Sequence, residues 1–188
     1  MPLPQLYLAG PEVFLPDALS VGAEKARLCA AYGFVGVFPL DGAVSLEQLA
    51  AREQARSISL SNEALIRSCD GLIANLTPFR GVSMDAGTAF EVGFMRALGR
   101  PVLGYSNVST GYRTRAEAYR AQPHGGPEAD RPDMQIEDFD LAENLMIEIA
   151  IGESGGEVVR RMVAPGTECR DLAGFTACLE QARRIFEL

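Results

Sequence analysis

The chain has 188 residues, 47% hydrophobic and 22% charged, the composition of an ordinary globular domain, and a single domain over residues 1–188 is expected. No apolar run approaches the ~18–20 residues of a membrane span. Residues 1–5 also lack the basic and apolar regions of a secretory signal, so a cytoplasmic location with no membrane partner is expected. A net charge of −8, with basic residues scattered singly or in pairs, argues against nucleic acid as a partner, because backbone binding needs a basic footprint.

Leu6–Ala9 is a short apolar run ended by Gly10-Pro11, which predicts a buried strand and a turn. Asp17 to Tyr32 has helical spacing in Ala18, Val21, Ala26, Leu28 and Cys29, with Gly33 suited to its end. Phe34–Phe38 reads as a second strand stopped by Pro39. Leu46 to Cys69 is a long helical pattern with a candidate break near Ser57–Ser61. Gly71–Leu76 is a third strand, followed by the turn-rich Thr77–Gly81, a helix over Ala86–Leu98 and a fourth strand, Pro101–Tyr105. Ser106 to Gln135 is polar and rich in Gly, Pro and Arg and reads as a long loop. Asp140 to Ile151 is helical, Asp171 to Phe186 is a terminal amphipathic helix, and Val158–Val163 is a weak candidate for a fifth strand.

Strands separated by helices imply right-handed βαβ units and an α/β fold. The expected architecture is a flavodoxin-like, doubly wound parallel sheet of four or five strands, order 2-1-3-4-5, with helices on both faces. Ligands bind such sheets beyond the carboxyl ends of the strands, where the order switches. Here that point lies between strands one and three, so Gly10–Phe14 and Thr77–Asp85 should line the cleft.

The chemistry centres on Glu91. The helix that carries it reads as wholly buried, and Arg96 is the only other charge within it. Glu91 has no basic residue at i−4 (Gly87) or i+4 (Met95), so no helix-surface ion pair accounts for it. A carboxylate on such a face is costly unless something pairs with it or uses it. Asp85, just before the helix, is either an N-cap or a group that handles a substrate hydroxyl or a proton. Four cysteines without CxxC spacing favour neither a metal nor a disulfide. The single histidine, His124, lies in a loop composition, so a Ser/His or Cys/His triad is poorly supported.

Four segments, Tyr7–Phe14 (YLAGPEVF), Asn75–Gly81 (NLTPFRG), Asp85–Phe94 (DAGTAFEVGF) and Glu143–Ile147 (ENLMI), together resemble the nucleoside 2-deoxyribosyltransferase family and occur in its order. The resemblance implies an enzyme that exchanges the base of a 2′-deoxynucleoside for a free nucleobase by a retaining double displacement, with no cofactor and no metal. Glu91 matches the family nucleophile, Tyr7 the tyrosine that orients it, and Asp85 the aspartate that contacts the deoxyribose. Asn144 matches an asparagine that a neighbouring subunit lends to the 5′-hydroxyl, and Met146 a methionine packed near the glutamate. The Asn144 match implies a homo-oligomer, dimer or higher, with shared sites; from sequence alone Asn144 and Met146 would be a helix-surface amide and a core residue.

Gly10 lies in the first segment, and Phe14 and Phe79 are candidates to stack on the base. Asn62 falls where some members carry an aspartate. An amide can hold a hydroxyl or a base but cannot act as a general acid, so the proton donor stays open, with Asp85 or water to be considered. Asp70 is a weaker candidate, since Cys69–Gly71 reads as a turn. Two further readings share the fold: hydrolysis by an N-glycosidase, for which Ser106–Gly111 is only a weak phosphate cradle, and a nucleotide-sensing module without chemistry.

Overall fold

Alternation along Gln5–Ala9 sends Leu6 and Leu8 to one face of a sheet and Tyr7 and Ala9 to the other, and all four side chains are fully buried. The computed structural model describes residues 2–42, 47–122 and 133–188, and in it this segment is β1. With β2 (Val35–Val37), β3 (Gly71–Asn75), β4 (Val102–Ser106) and β5 (Val158–Arg160) it forms a parallel sheet of order β2-β1-β3-β4-β5. Tyr7 lies opposite Val37 on one side and Leu72 on the other.

Helices cover both faces. On the Leu6/Leu8 face, α1 (Ala18–Ala31) and α6 (Ala173–Ile185) bring Cys29, Phe175 and Leu179 against Ile73 and Leu103. On the Tyr7/Ala9 face, α2 (Ala51–Ser68), α3 (Ala86–Ala97) and α5 (Leu145–Glu153) supply Ile66, Val92, Met95 and Ile151. The chain leaving β1 enters α1 on one face and the chain leaving β3 enters α3 on the other. The crevice expected at such a switch opens above their carboxyl ends.

Several boundaries differ from expectation for identifiable reasons. The stretch read as a loop contains α4 (Tyr112–Arg120), a helix with no buried residue, so it carries no apolar stripe to reveal it; an Arg113–Glu117 pair at i,i+4 supports it instead. His124 and the rest of 123–132 lie outside the described residues. Helix α2 begins at Ala51, where Glu53 Oε2 accepts the Ala50 N–H at 3.2 Å, and runs unbroken through Ser57–Ser61. Helix α5 begins at Leu145 rather than Asp140, because Asn144 caps it and Asp140 adopts a left-handed φ of 55°. The weak fifth strand is real and pairs with β4, Gly104 opposite Val158.

Helix α3 is not buried all round. It buries Thr88, Val92 and Met95, whereas Phe90 is 59% exposed. Among the described residues, nothing covers the side of α3 that carries Phe90.

Candidate active site

Glu91 sits in the middle of α3, on the face turned toward β1. The Tyr7 hydroxyl rises from that strand and donates to Glu91 Oε1 at 2.7 Å. Burial pushes the Glu91 carboxyl up to about 7, the Tyr7 hydrogen bond pulls it down, and the Asp85 charge pushes it up. Burial, and then the Glu91 charge, hold the Tyr7 hydroxyl far above its ordinary value, so it remains protonated and keeps donating.

Asp85 does cap the helix. It is the N-cap of α3, its Oδ2 accepting the Thr88 N–H at 2.9 Å and the Thr88 hydroxyl at 3.3 Å. It also lines a cavity of about 290 Å³ together with Gly10, Phe14, Asn62, Thr88 and Glu91. A second cavity of about 190 Å³ also reaches Glu91, between α2 and α3, and shares Asn62 and Gly87 with the first. The carboxylate is therefore accessible from space large enough to hold a small molecule, with apolar walls and few polar groups.

Phe14 and Phe79 stack on each other, with ring centroids 5.1 Å apart and planes within 11°. Only Phe14 lines the cavity, and the Arg80 guanidinium lies 4.9 Å from the Phe14 centroid and 4.6 Å from that of Phe79. Phe79 thus backs the Phe14 ring and stands outside the cavity's lining. Asp70 lies outside the cavity's lining: its Oδ2 accepts the Gln5 N–H at 2.8 Å, at the amino end of β1.

Asn144 and Met146 are absent from the lining of their own chain's cavity. Asn144 Oδ1 accepts the Met146 N–H at 2.9 Å and its Nδ2 donates to Glu137 Oε1 at 2.7 Å. Met146, expected in the core from sequence alone, is 70% exposed. The reason is its place in the first turn of α5, on the side away from the sheet.

Sequence reasoning missed Thr88, which lies one turn before Glu91 on the same helix face, a spacing that could have found it. It also missed the apolar wall of Leu40 and Ile58, for which no local signal exists.

The sequence model of the family described as nucleoside 2-deoxyribosyltransferase matches residues 6–146, from one residue before Tyr7 to Met146. The chain belongs to the nucleoside 2-deoxyribosyltransferase family. Solved structures share its architecture: a 2-desoxiribosyltransferase from Leishmania mexicana is 29% identical and superposes with a TM-score of 0.64, covering 94% of this chain and 97% of that one. A conserved protein from Enterococcus faecalis V583, 21% identical, has the same fold, with a TM-score of 0.58 over 96% of this chain and 99% of its own. An uncharacterized protein of Schizosaccharomyces pombe is 34% identical over 170 residues, 83% of this chain and 81% of that protein. The family match takes in every candidate site residue named above, whereas β5 and α6 lie beyond it.

Proposed function

We propose that this deoxyribosyltransferase-family chain is an enzyme that exchanges the nucleobase of 2′-deoxyribonucleosides through a covalent deoxyribosyl-glutamate. The observation that carries the reading is the Tyr7–Glu91 hydrogen bond of 2.7 Å at the wall of the cavity at the sheet's switch point. In the first step a Glu91 carboxylate oxygen forms a bond to the anomeric carbon. The bond from that carbon to the base nitrogen breaks, its electron pair leaving with the base, which takes up a proton. In the second step a nitrogen of another base attacks the same carbon, gives up its proton and displaces Glu91 as the carboxylate, so two inversions give retention. Tyr7 orients the nucleophile by occupying Oε1. Asp85 faces the sugar, Asn62 supplies an amide to a hydroxyl or base, and Phe14 offers a ring face braced by Phe79, beside the close-packed turn at Gly10.

The test is a chromatographic assay in which each of the four common 2′-deoxynucleosides is mixed with a different free base. A new deoxynucleoside supports exchange. Free deoxyribose without exchange would replace transfer by hydrolysis, and neither product would sink the enzymatic reading.

Attack requires the ionised carboxylate, so kcat/KM should rise with pH as Glu91 ionises around 7. Tyr7→Phe removes the hydrogen bond that holds that value down. The rising limb should move to higher pH, and the variant should lose more activity at pH 6 than at pH 8.5. A limb at the wild-type position would rule out Tyr7 as the group that tunes Glu91.

The reading also includes a homo-oligomer. Phe90 on α3, Ile58 on α2, and Met146 and Ile149 on α5 are exposed apolar side chains on one side of the sheet, and α3 packs against both α2 and α5. Covering this surface with a second copy would take Met146 out of water and could carry Asn144 to the neighbour's cavity. Ile149→Asp should dissociate the assembly in sedimentation velocity and lower activity in parallel; a fully active monomer would contradict shared sites.

A further inference from the structure

The loop that delivers Asp85 to the cavity is held by a buried ion pair outside it. Glu143 is 1% exposed and precedes the cap of α5. Its carboxylate accepts the Ser83 hydroxyl at 2.5 Å, the Met84 N–H at 3.1 Å and the Asn144 N–H at 3.2 Å. Arg115, on α4, donates to Glu143 Oε1 at 3.0 Å, to the Val82 carbonyl at 2.9 Å and to the Ala142 carbonyl at 2.6 Å, and also to the Thr110 carbonyl. Three successive residues, 82, 83 and 84, are therefore pinned by one pair, and the next residue is Asp85. Neither Arg115 nor Glu143 lines the cavity that contains Glu91.

Burying two charges is weak evidence for stability, since well-packed apolar residues often do as well. What the pair does here is geometric. The loop from 76 to 85 joins the end of β3 to the first turn of α3, and Met84, 7% exposed, anchors it in the core beside Val92 and Met95. That anchor holds one side chain, whereas the hydrogen bonds to Glu143 and Arg115 hold the backbone at Val82 and Met84 and the Ser83 hydroxyl, and together they fix where Asp85 caps α3 relative to Glu91.

We infer that Glu143 is a positioning residue which, with Arg115, holds residues 82–84 so that Asp85 and Glu91 meet the substrate in register. This rests on the reading of Glu91 as the nucleophile. Glu143 touches no substrate; it acts through the loop. A displacement of about 1 Å at a reacting group can cost on the order of 100-fold in rate.

The experiment measures kcat and KM for base exchange in the full chain, using the same panel of deoxynucleosides and free bases, for the wild type, Ser83→Ala, Glu143→Gln and Glu143→Gln/Arg115→Met. Ser83→Ala removes one contact and leaves the ion pair intact, and the double variant leaves no unpaired charge, so at least one variant should fold. The expected result, in variants whose thermal transition lies well above the assay temperature, is a fall in kcat of about 10- to 100-fold with KM within about 3-fold of wild type. A folded Glu143→Gln or double variant with wild-type kcat would overturn the inference while leaving Glu91 in its role. A purely structural role would lower the transition and leave kcat unchanged below it. Turnover that survives Glu91→Ala would overturn the nucleophile reading, and the positioning claim with it.

Discussion

Glu91→Ala should abolish nucleobase exchange, lowering kcat by at least about 10³-fold, because no other carboxylate in the cavity can take over bond formation at the anomeric carbon. Asp85, the nearest alternative, is engaged as the cap of α3 through Thr88. The fold should survive, since the change removes a costly charge from a half-buried site. Circular dichroism and the thermal transition would establish that the variant is folded, and residual turnover near the wild-type level would end the assignment.

The same carboxylate gives a stability signature that does not depend on any substrate. Its value is raised from 4.5 to about 7, so the folded state holds the proton more tightly than the unfolded chain does. Ionisation is therefore destabilising: the penalty is absent below about 4.5, grows between 4.5 and 7 and is complete above 7. At 1.36 kcal/mol per unit its ceiling is on the order of 3 kcal/mol. Glu91→Gln should be more stable than wild type in urea at pH 8.5, and the difference should shrink at pH 5. A difference independent of pH would contradict a raised Glu91.

Lys25→Met should destabilise the chain by about 3–5 kcal/mol, the cost of leaving a buried charge without its partner. Lys25 and Glu12 are both 0% exposed, and Lys25 Nζ lies 2.8 Å from Glu12 Oε1. The Tyr105 hydroxyl donates to the same oxygen at 2.9 Å, and the ammonium lies 4.8 Å from the centre of the Phe175 ring. This cluster ties the short 3₁₀ turn Pro11–Phe14 to α1 and to β4, beneath the wall that Gly10 and Phe14 give the cavity. A loss of that size is a large part of the 5–15 kcal/mol that stabilises a typical domain. The double variant Glu12→Gln/Lys25→Met should lose less than the sum of the single changes, since no lone charge remains. Urea unfolding of the four proteins closes the cycle, and a Lys25→Met cost below about 1 kcal/mol would show that the pair contributes little.

Strand order and the location of the cleft were legible because β1, β3 and β4 are short apolar runs cut by Gly and Pro, and because a parallel sheet leaves few ways to connect them. Glu91 stood out as an acid among apolar helix positions. Lys25 could have been found by the same logic: Ala18, Gly22, Lys25 and Cys29 are the buried positions of α1, spaced four, three and four apart, so the lysine sits on the apolar stripe. Helix α4 was not legible, because Arg115 fastens it through backbone carbonyls rather than by an apolar face. Nor was the pairing of Tyr7 with Glu91, 84 residues apart, which only topology or the family resemblance could bring together. The cavity's Leu40 wall comes from a 3₁₀ turn, Pro39–Asp41, whose position depends on packing that no local pattern encodes.

Gly10 has φ 160° and ψ 166°, an extended conformation open to any residue, so its identity is fixed by space alone. A methyl group there would overlap Glu12 Oε2 and come within 2.9 Å of Asn75 Cβ. The floor of the cavity is thus closed to substitution by the ion pair below it, while Phe14, Leu40 and Ile58 on the walls are each at least 40% exposed and meet no such obstacle. If exchange is the reaction, a library aimed at changing the preferred base would gain from those three positions and be wasted on the tenth.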